Sequence, residues 1–147
     1  MVSDRHPLKL VVDDFIPSGP KTGPEGGWVD MAIKWLITKS SVGSQSTVFA
    51  ITDFRPGSRH EVHRHPHAEE TEYLVEGEGV ARIGADEVVL RAGEIVFVPR
   101  NAYHGFRNAS KTGNARMVWC YGGAASLEEA GYALESDDLV DREKPTS

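Results

Sequence analysis

Along most of this chain apolar and polar positions alternate in short runs, broken by glycine, proline and small polar residues. A period of two over four to eight residues, repeated at near-regular spacing, predicts strands rather than helices. Residues 8–12 (LKLVV) read as a first short strand, followed by a loop marked by Pro17, Gly19, Pro20, Gly23, Pro24, Gly26 and Gly27. Residues 31–38 (MAIKWLIT) form the next strand, SSVGSQS a turn, and 47–54 (TVFAITDF) another strand that ends in a turn at Arg55-Pro56-Gly57. Tyr73-Leu74-Val75 runs into a turn at Glu76-Gly77. Residues 80–83, 87–90 (EVVL) and 94–99 (EIVFVP) follow, joined as hairpins by Gly84-Ala85-Asp86 and Arg91-Ala92-Gly93. Residues 104–107 and 116–121 (RMVWCY) close the series around Ser110-Lys111-Thr112-Gly113. The one helical signal is the capping box Ser126-Leu127-Glu128-Glu129. From 135 onward the chain is acidic and polar, and a loosely packed or frayed tail is expected. The pattern predicts an all-β antiparallel sandwich or barrel with at most a short C-terminal helix, under about a tenth of the residues.

Size and charge narrow this further. At 147 residues the chain is long enough for one domain with a real core. Its expected parts are an N-terminal arm and loop (1–30), a barrel (31–123) and a helix or tail packed on the barrel (124–147). A net charge of −6 leaves no basic footprint for nucleic acid or an anionic membrane. The single Cys120 excludes an internal disulfide framework and a multi-cysteine zinc site. No apolar run approaches the ~18 residues of a membrane span, and MVSDRHPLKL lacks the apolar core of a signal peptide. A cytoplasmic protein is the expectation.

Candidate chemistry is concentrated at 57–79, GSRHEVHRHPHAEETEYLVEGEG, which holds four of the six histidines and the carboxylates Glu69, Glu70 and Glu72. In a strand, His63 and His65 point to the same face of the sheet. Imidazole and carboxylate together suit Zn, Mn, Fe, Ni or Cu, whereas magnesium and calcium sites are built almost wholly from oxygen. The plainer alternative is an exposed, charged loop, since most histidines are solvated or hydrogen-bonded rather than ligating.

Two spaced blocks extend the picture. The first is Gly57, five residues, His63, one residue, His65, four residues, Glu70, six residues, Gly77. The second is Gly93, five residues, Pro99, then Asn101, His104 and Asn108. Together they resemble the two motifs of the cupin superfamily, in order and at matching spacing. That resemblance implies a cupin-type β-barrel (a double-stranded β-helix or jelly roll) that forms homodimers. It also implies one divalent transition metal, Fe, Mn, Zn or Ni, held by His63, His65, Glu70 and His104. Asn101 stands where the second motif has glycine, a mild departure because Asn tolerates the left-handed conformation. A shifted frame through His65, His67, Glu72 and Gly79 loses the leading Gly57. His60 and His67 are therefore expected at the surface or rim and Glu69 in solvent.

Alternation then proposes the walls of the site. Glu72 and Leu74 share a phase with Glu70, and Phe106 and Asn108 with His104. Of the two faces of 116–121, Met117, Trp119 and Tyr121 should turn inward, since Arg116 belongs outside. The expected pocket is Phe49, Phe97, Phe106, Trp119 and Tyr121, with Glu72, Tyr73 and Tyr103 as catalytic candidates. Trp28 is either a plug over the barrel, which is favoured, or a pocket wall, and Cys120 a buried packing residue. Arg59, Arg64 and Arg100 are expected in solvent, and no Lys/Arg cluster faces the ligands, which argues against a phosphosugar substrate.

Three functions fit these residues, because cupins host many reactions. An Fe(II)-type dioxygenase acting on a small phenolic or enolisable carbonyl substrate is favoured. A non-redox metal-dependent isomerase, cyclase or lyase and a metal-anchored small-ligand binding or sensing module are the alternatives.

Overall fold

The computed structural model describes residues 2–18 and 26–144, so the loop signals at 19–25 lie outside the described residues. Among the described residues nine strands form one continuous sheet: β1 (Trp28–Ile37), β2 (Thr47–Arg64), β3 (Glu69–Glu76), β4 (Glu78–Ile83), β5 (Asp86–Arg91), β6 (Ile95–Val98), β7 (His104–Arg107), β8 (Ala115–Gly122) and β9 (Ala133–Leu134). Their order is β5-β4-β7-β2-β8-β3-β6, with β1 and β9 also paired to β2, and every pairing is antiparallel. The sheet curls into a nearly closed barrel.

One strand makes that closure possible. β2 runs for 18 residues straight through the turn expected at Arg55-Pro56-Gly57. Gly57 adopts φ +74°, a conformation that other residues rarely take, so the strand bends there without reversing. Asn108 holds the bend: its amide Nδ2 donates to the carbonyls of Phe54 and Arg55 at 3.2 Å each, and its backbone exchanges hydrogen bonds with Gly57 and Ser58. Before the bend β2 pairs with β8, and after it with β7. One half of β2 therefore joins the strands on each side of the barrel.

Register sets the interior. Val48, Ala50, Thr52 and Phe54 of β2 pair with Tyr121, Trp119, Met117 and Ala115 of β8, while Glu70, Glu72 and Leu74 of β3 lie opposite Tyr121, Trp119 and Met117. All of these are buried, forming a ladder of inward residues. The alternate residues form the outer face, where Arg116 pairs with Asp53 at 2.7 Å.

The pattern misled at three further places and was right at a fourth. Residues 8–12 make no strand; the arm has a 3₁₀ turn at Val12–Asp14, and Leu8, Val11 and Val12 are exposed. SSVGSQS overlaps a one-turn helix, α1 (Lys39–Val42), which begins at the reciprocal capping box of Thr38 and Ser41 and stops at Gly43 with φ +72°. α2 (Leu127–Ala130) starts where Ser126 was expected to cap it, the serine Oγ accepting from Glu129 N at 3.0 Å. The tail is not frayed: it folds into α3 (Glu135–Glu143). Arg82 and Arg64 hold α3 to the barrel through Glu135 (2.7 Å) and Asp138 (2.8 Å), partners too distant in sequence for any local pattern to show. Among the described residues no helix is long and apolar enough to cross a membrane.

Candidate metal centre

Three segments deliver four buried donors to one point. The end of β2 carries His63, and His65 follows one residue beyond the strand. β3 carries Glu70 and β7 begins at His104. One ligand atom from each of the four lies within 4.8 Å of the other three, and the residues are only 1–6% exposed.

The hydrogen bonds behind the rings fix how they face. His63 Nδ1 donates to the Glu61 carbonyl (2.7 Å), His65 Nδ1 to the Gly131 carbonyl (2.7 Å) and His104 Nδ1 to the Ala102 carbonyl (2.9 Å). A carbonyl only accepts, so each Nδ1 carries the proton and each Nε2 of a neutral ring presents a lone pair. Two of these meet Glu70 Oε2, His104 Nε2 at 2.6 Å and His65 Nε2 at 3.4 Å. Lone pairs and a carboxylate cannot share so small a space without a cation between them. A divalent transition ion fits this donor set, and a proton is what takes its place otherwise.

The electrostatics follow. Burial alone would lower the His104 pKa, but the charge of Glu70 and its hydrogen bond outweigh it and raise the value to about 9. Burial would likewise raise the Glu70 carboxyl, yet the charge and hydrogen bond of His104 hold it well below the usual carboxylate range. Burial, and then the charge of Glu70, push Glu72 up to about 8. Burial lowers His63, with His60 and His104 reinforcing the effect.

Beside the donors lies a narrow cavity of about 20 Å³. Glu72, Phe106, Trp119 and Tyr121 line it, together with Trp28, Trp35, Phe54 and Tyr132, and among the described residues no Lys or Arg does. Trp119 Nε1 donates to Thr52 Oγ1 at 2.7 Å, which satisfies the indole and leaves its ring as a wall. Other expected pocket residues stand elsewhere. Phe49 (39% exposed) and Phe97 (53%) lie on the outer face, in register with Cys120 and Thr71, and Tyr73 (40%) lies there too. Cys120 is accordingly half-buried on that face rather than in the core. Tyr103 is outside the cavity, its hydroxyl donating to Asp138. Asn108 is buried, but it serves the bend in β2.

His60 also departs from expectation. It is half-buried and lines the cavity, with its ring stacked on His63 at 3.8 Å and 22°. Strict alternation places residues 60 and 63 on opposite faces. One extra residue breaks the register between them, since His60 pairs with Phe106 and His63 with His104, and a bulge of this kind brings both to the same side. His67 and Glu69 are exposed, as their place outside the site requires. Tyr132 and Trp35 carried no signal in either motif and reach the site only through the fold.

The fold and the site together are a small antiparallel barrel in which three imidazoles and a carboxylate that could bind a metal gather beside an aromatic cavity. The model of the Cupin domain matches residues 50–121. The polyketide synthase CurC of Streptomyces cyaneus is 32% identical over 113 residues, 77% of this chain and 68% of CurC. The chain belongs to the cupin family. It is also similar to the dimethylsulfoniopropionate lyase DddW of Ruegeria pomeroyi, 28% identical over 128 residues, 85% of this chain and 78% of DddW. The crystal structure of a predicted oxalate decarboxylase from Thermotoga maritima superposes with a TM-score of 0.68 at 22% identity, covering 78% of this chain and 98% of that one, a likeness of fold.

Proposed function

We propose that this protein is a metal-dependent enzyme that moves protons on a small, neutral, enolisable carbonyl compound, as an isomerase, cyclase or lyase does. The observation that carries the reading is Glu72: a buried carboxylate on the cavity wall, next to the four donors but not one of them. His63, His65, Glu70 and His104 would hold the ion, which when bound supplies a Lewis acid that polarises a carbonyl oxygen. Glu72 is placed to take a proton from the carbon beside that carbonyl and to return it elsewhere on the same molecule. Trp28, Phe106 and Trp119 offer flat apolar faces for a planar enol and keep water away from it.

The wall chemistry also selects among substrates. With a divalent ion set against Glu70 and Glu72 the centre carries little net charge, and the wall adds no Lys or Arg to hold a dicarboxylate, which suits a neutral ligand. CurC is named a polyketide synthase, and polyketides are carbonyl-rich and enolisable. An Fe(II) dioxygenase, favoured on the sequence, uses the same donors but gives Glu72 no task, and it moves to second place.

Deuterium wash-in at the α-carbon of a small 1,3-diketone, followed by NMR under nitrogen, tests this. The metal-loaded protein should catalyse the exchange, and Glu72→Gln should keep its metal while slowing exchange by about 10²–10⁴. Exchange that is indifferent to Glu72→Gln, or turnover only with O₂, would overturn the proposal.

A further inference from the structure

We propose that residues 131–134, outside the region matched by the Cupin domain model, are a working part of the metal centre that positions two of its imidazoles. The inference rests on the reading that His63, His65, Glu70 and His104 hold an ion. Gly131 provides the carbonyl that fixes the His65 ring from behind. Ala133–Leu134 then pair as β9 with Arg64 and His63, so the backbone of one ligand is itself held by this strap. Between them Tyr132 acts on His63 through His60. The tyrosine hydroxyl donates to the Gly26 carbonyl at 2.7 Å, which leaves its oxygen to accept from His60 Nε2 at 3.2 Å. His60, fixed in that way, stacks flat on His63, and the Tyr132 ring itself lies 5.0 Å from His63.

The strap has no room to shift. A Cβ on Gly27 would meet the Tyr132 hydroxyl and Leu134 Cδ2 at 2.8 Å each, so the segment before β1 seats directly against it. On its other side α3 is tied to the barrel by Arg82–Glu135 and by Arg64–Asp138, and Arg64 lies between His63 and His65 in the chain. Groups that orient a ligating imidazole typically change metal affinity about 10–100-fold when removed. Tyr132 and His60 are accordingly positioning residues, acting on the ion through His63.

Co(II) is the probe. Its affinity is measured by competition with a chromophoric chelator, its d–d spectrum reports ligand geometry, and thermal melts of the metal-free protein report folding. Tyr132→Phe and His60→Ala should each weaken Co(II) binding by about tenfold or more and alter the d–d bands, with the metal-free melt nearly unchanged. His60→Phe, which keeps the stack, should recover part of the loss. The double variant Tyr132→Phe/His60→Ala should bind like His60→Ala alone, because both act along one line. Wild-type affinity and spectrum in all variants, or a lowered melt with an unchanged spectrum, would overturn the positioning role while leaving the four-donor site standing. No Co(II) binding by the unaltered protein would overturn both.

Discussion

Loading the metal-free protein with Zn(II) should expel about one proton per ion from His104 near neutral pH. Both nitrogens of that ring face acceptors, the Ala102 carbonyl at 2.9 Å and Glu70 Oε2 at 2.6 Å, so without a metal the ring is an imidazolium. A pKa raised to about 9 leaves it about 97% protonated at pH 7.5, and that proton must go before Nε2 can ligate. Affinity should therefore fall about tenfold from pH 8 to pH 7, whereas an unperturbed imidazole with a pKa of 6.5 would leave it almost flat over the same range. Glu72, pushed to about 8, would add up to one more proton as the ion's charge arrives, and Glu72→Gln removes that contribution. The same protons mark the metal-free protein. His104 and Glu72 bind theirs more tightly folded than unfolded, so this stabilisation is complete below the unfolded values and is lost as pH rises through about 8–9. Titration calorimetry in buffers of different ionisation enthalpy counts the protons directly. Zero release at pH 7.5 in both proteins, with an affinity independent of pH from 7 to 8.5, would refute the coupling of Glu70 and His104.

Elemental analysis should find about one ion per chain in the unaltered protein and in His67→Ala, whose ring is exposed and outside the cluster, and none in His63→Ala/His104→Ala. Full occupancy in the double variant would end the four-donor reading. A homodimer is expected by light scattering at tens of micromolar. Phe49, Cys120, Thr71 and Phe97 form one cross-strand row on the outer face and Ile51, Val118, Tyr73 and Ile95 the next, an apolar surface that a second copy would cover. Phe97→Glu should yield monomers with the fold intact, and a monomeric unaltered protein would contradict the proposal.

The donors were legible because their spacing is local to two short blocks, and each block also carries the backbone device that places it. Asn101 takes φ +66°, the left-handed conformation that the missing glycine would have supplied. Asn108 locks the bend that separates the two uses of β2. The walls were less legible, because a strand's period shows that alternate residues share a face without saying which face is inside. For β2 the answer was nevertheless present. Phe49 shares its face with Asp53, and a charge there belongs in solvent as surely as Arg116 does, so Phe49 had to be outside. Between Val48 and Phe54 the inward residues are Ala50 and Thr52, both small side chains. β6 offers no such marker: Ile95, Val96, Phe97 and Val98 are all apolar, and only pairing with Glu70 and Glu72 settles their sides.

His60 and Tyr132 lie beyond either kind of inference. A bulge moves His60 to the face that alternation denies it, and Tyr132 arrives from a segment more than 60 residues from His63 along the chain. Both follow from one constraint. Imidazoles gathered around a small volume need partners behind them as well as an ion in front, and a barrel of short strands has few side chains left to supply those partners. Two of them are local carbonyls, Glu61 for His63 and Ala102 for His104, and the chain's return after β8 adds the rest: a carbonyl for His65, a hydroxyl for His60 and a two-residue strand beside His63. The residues that could hold an ion can thus be read from local spacing. The parts that aim those donors depend on where the C-terminal segment docks, which is decided by Arg64, Arg82 and the packing of Gly27 against Tyr132 and Leu134.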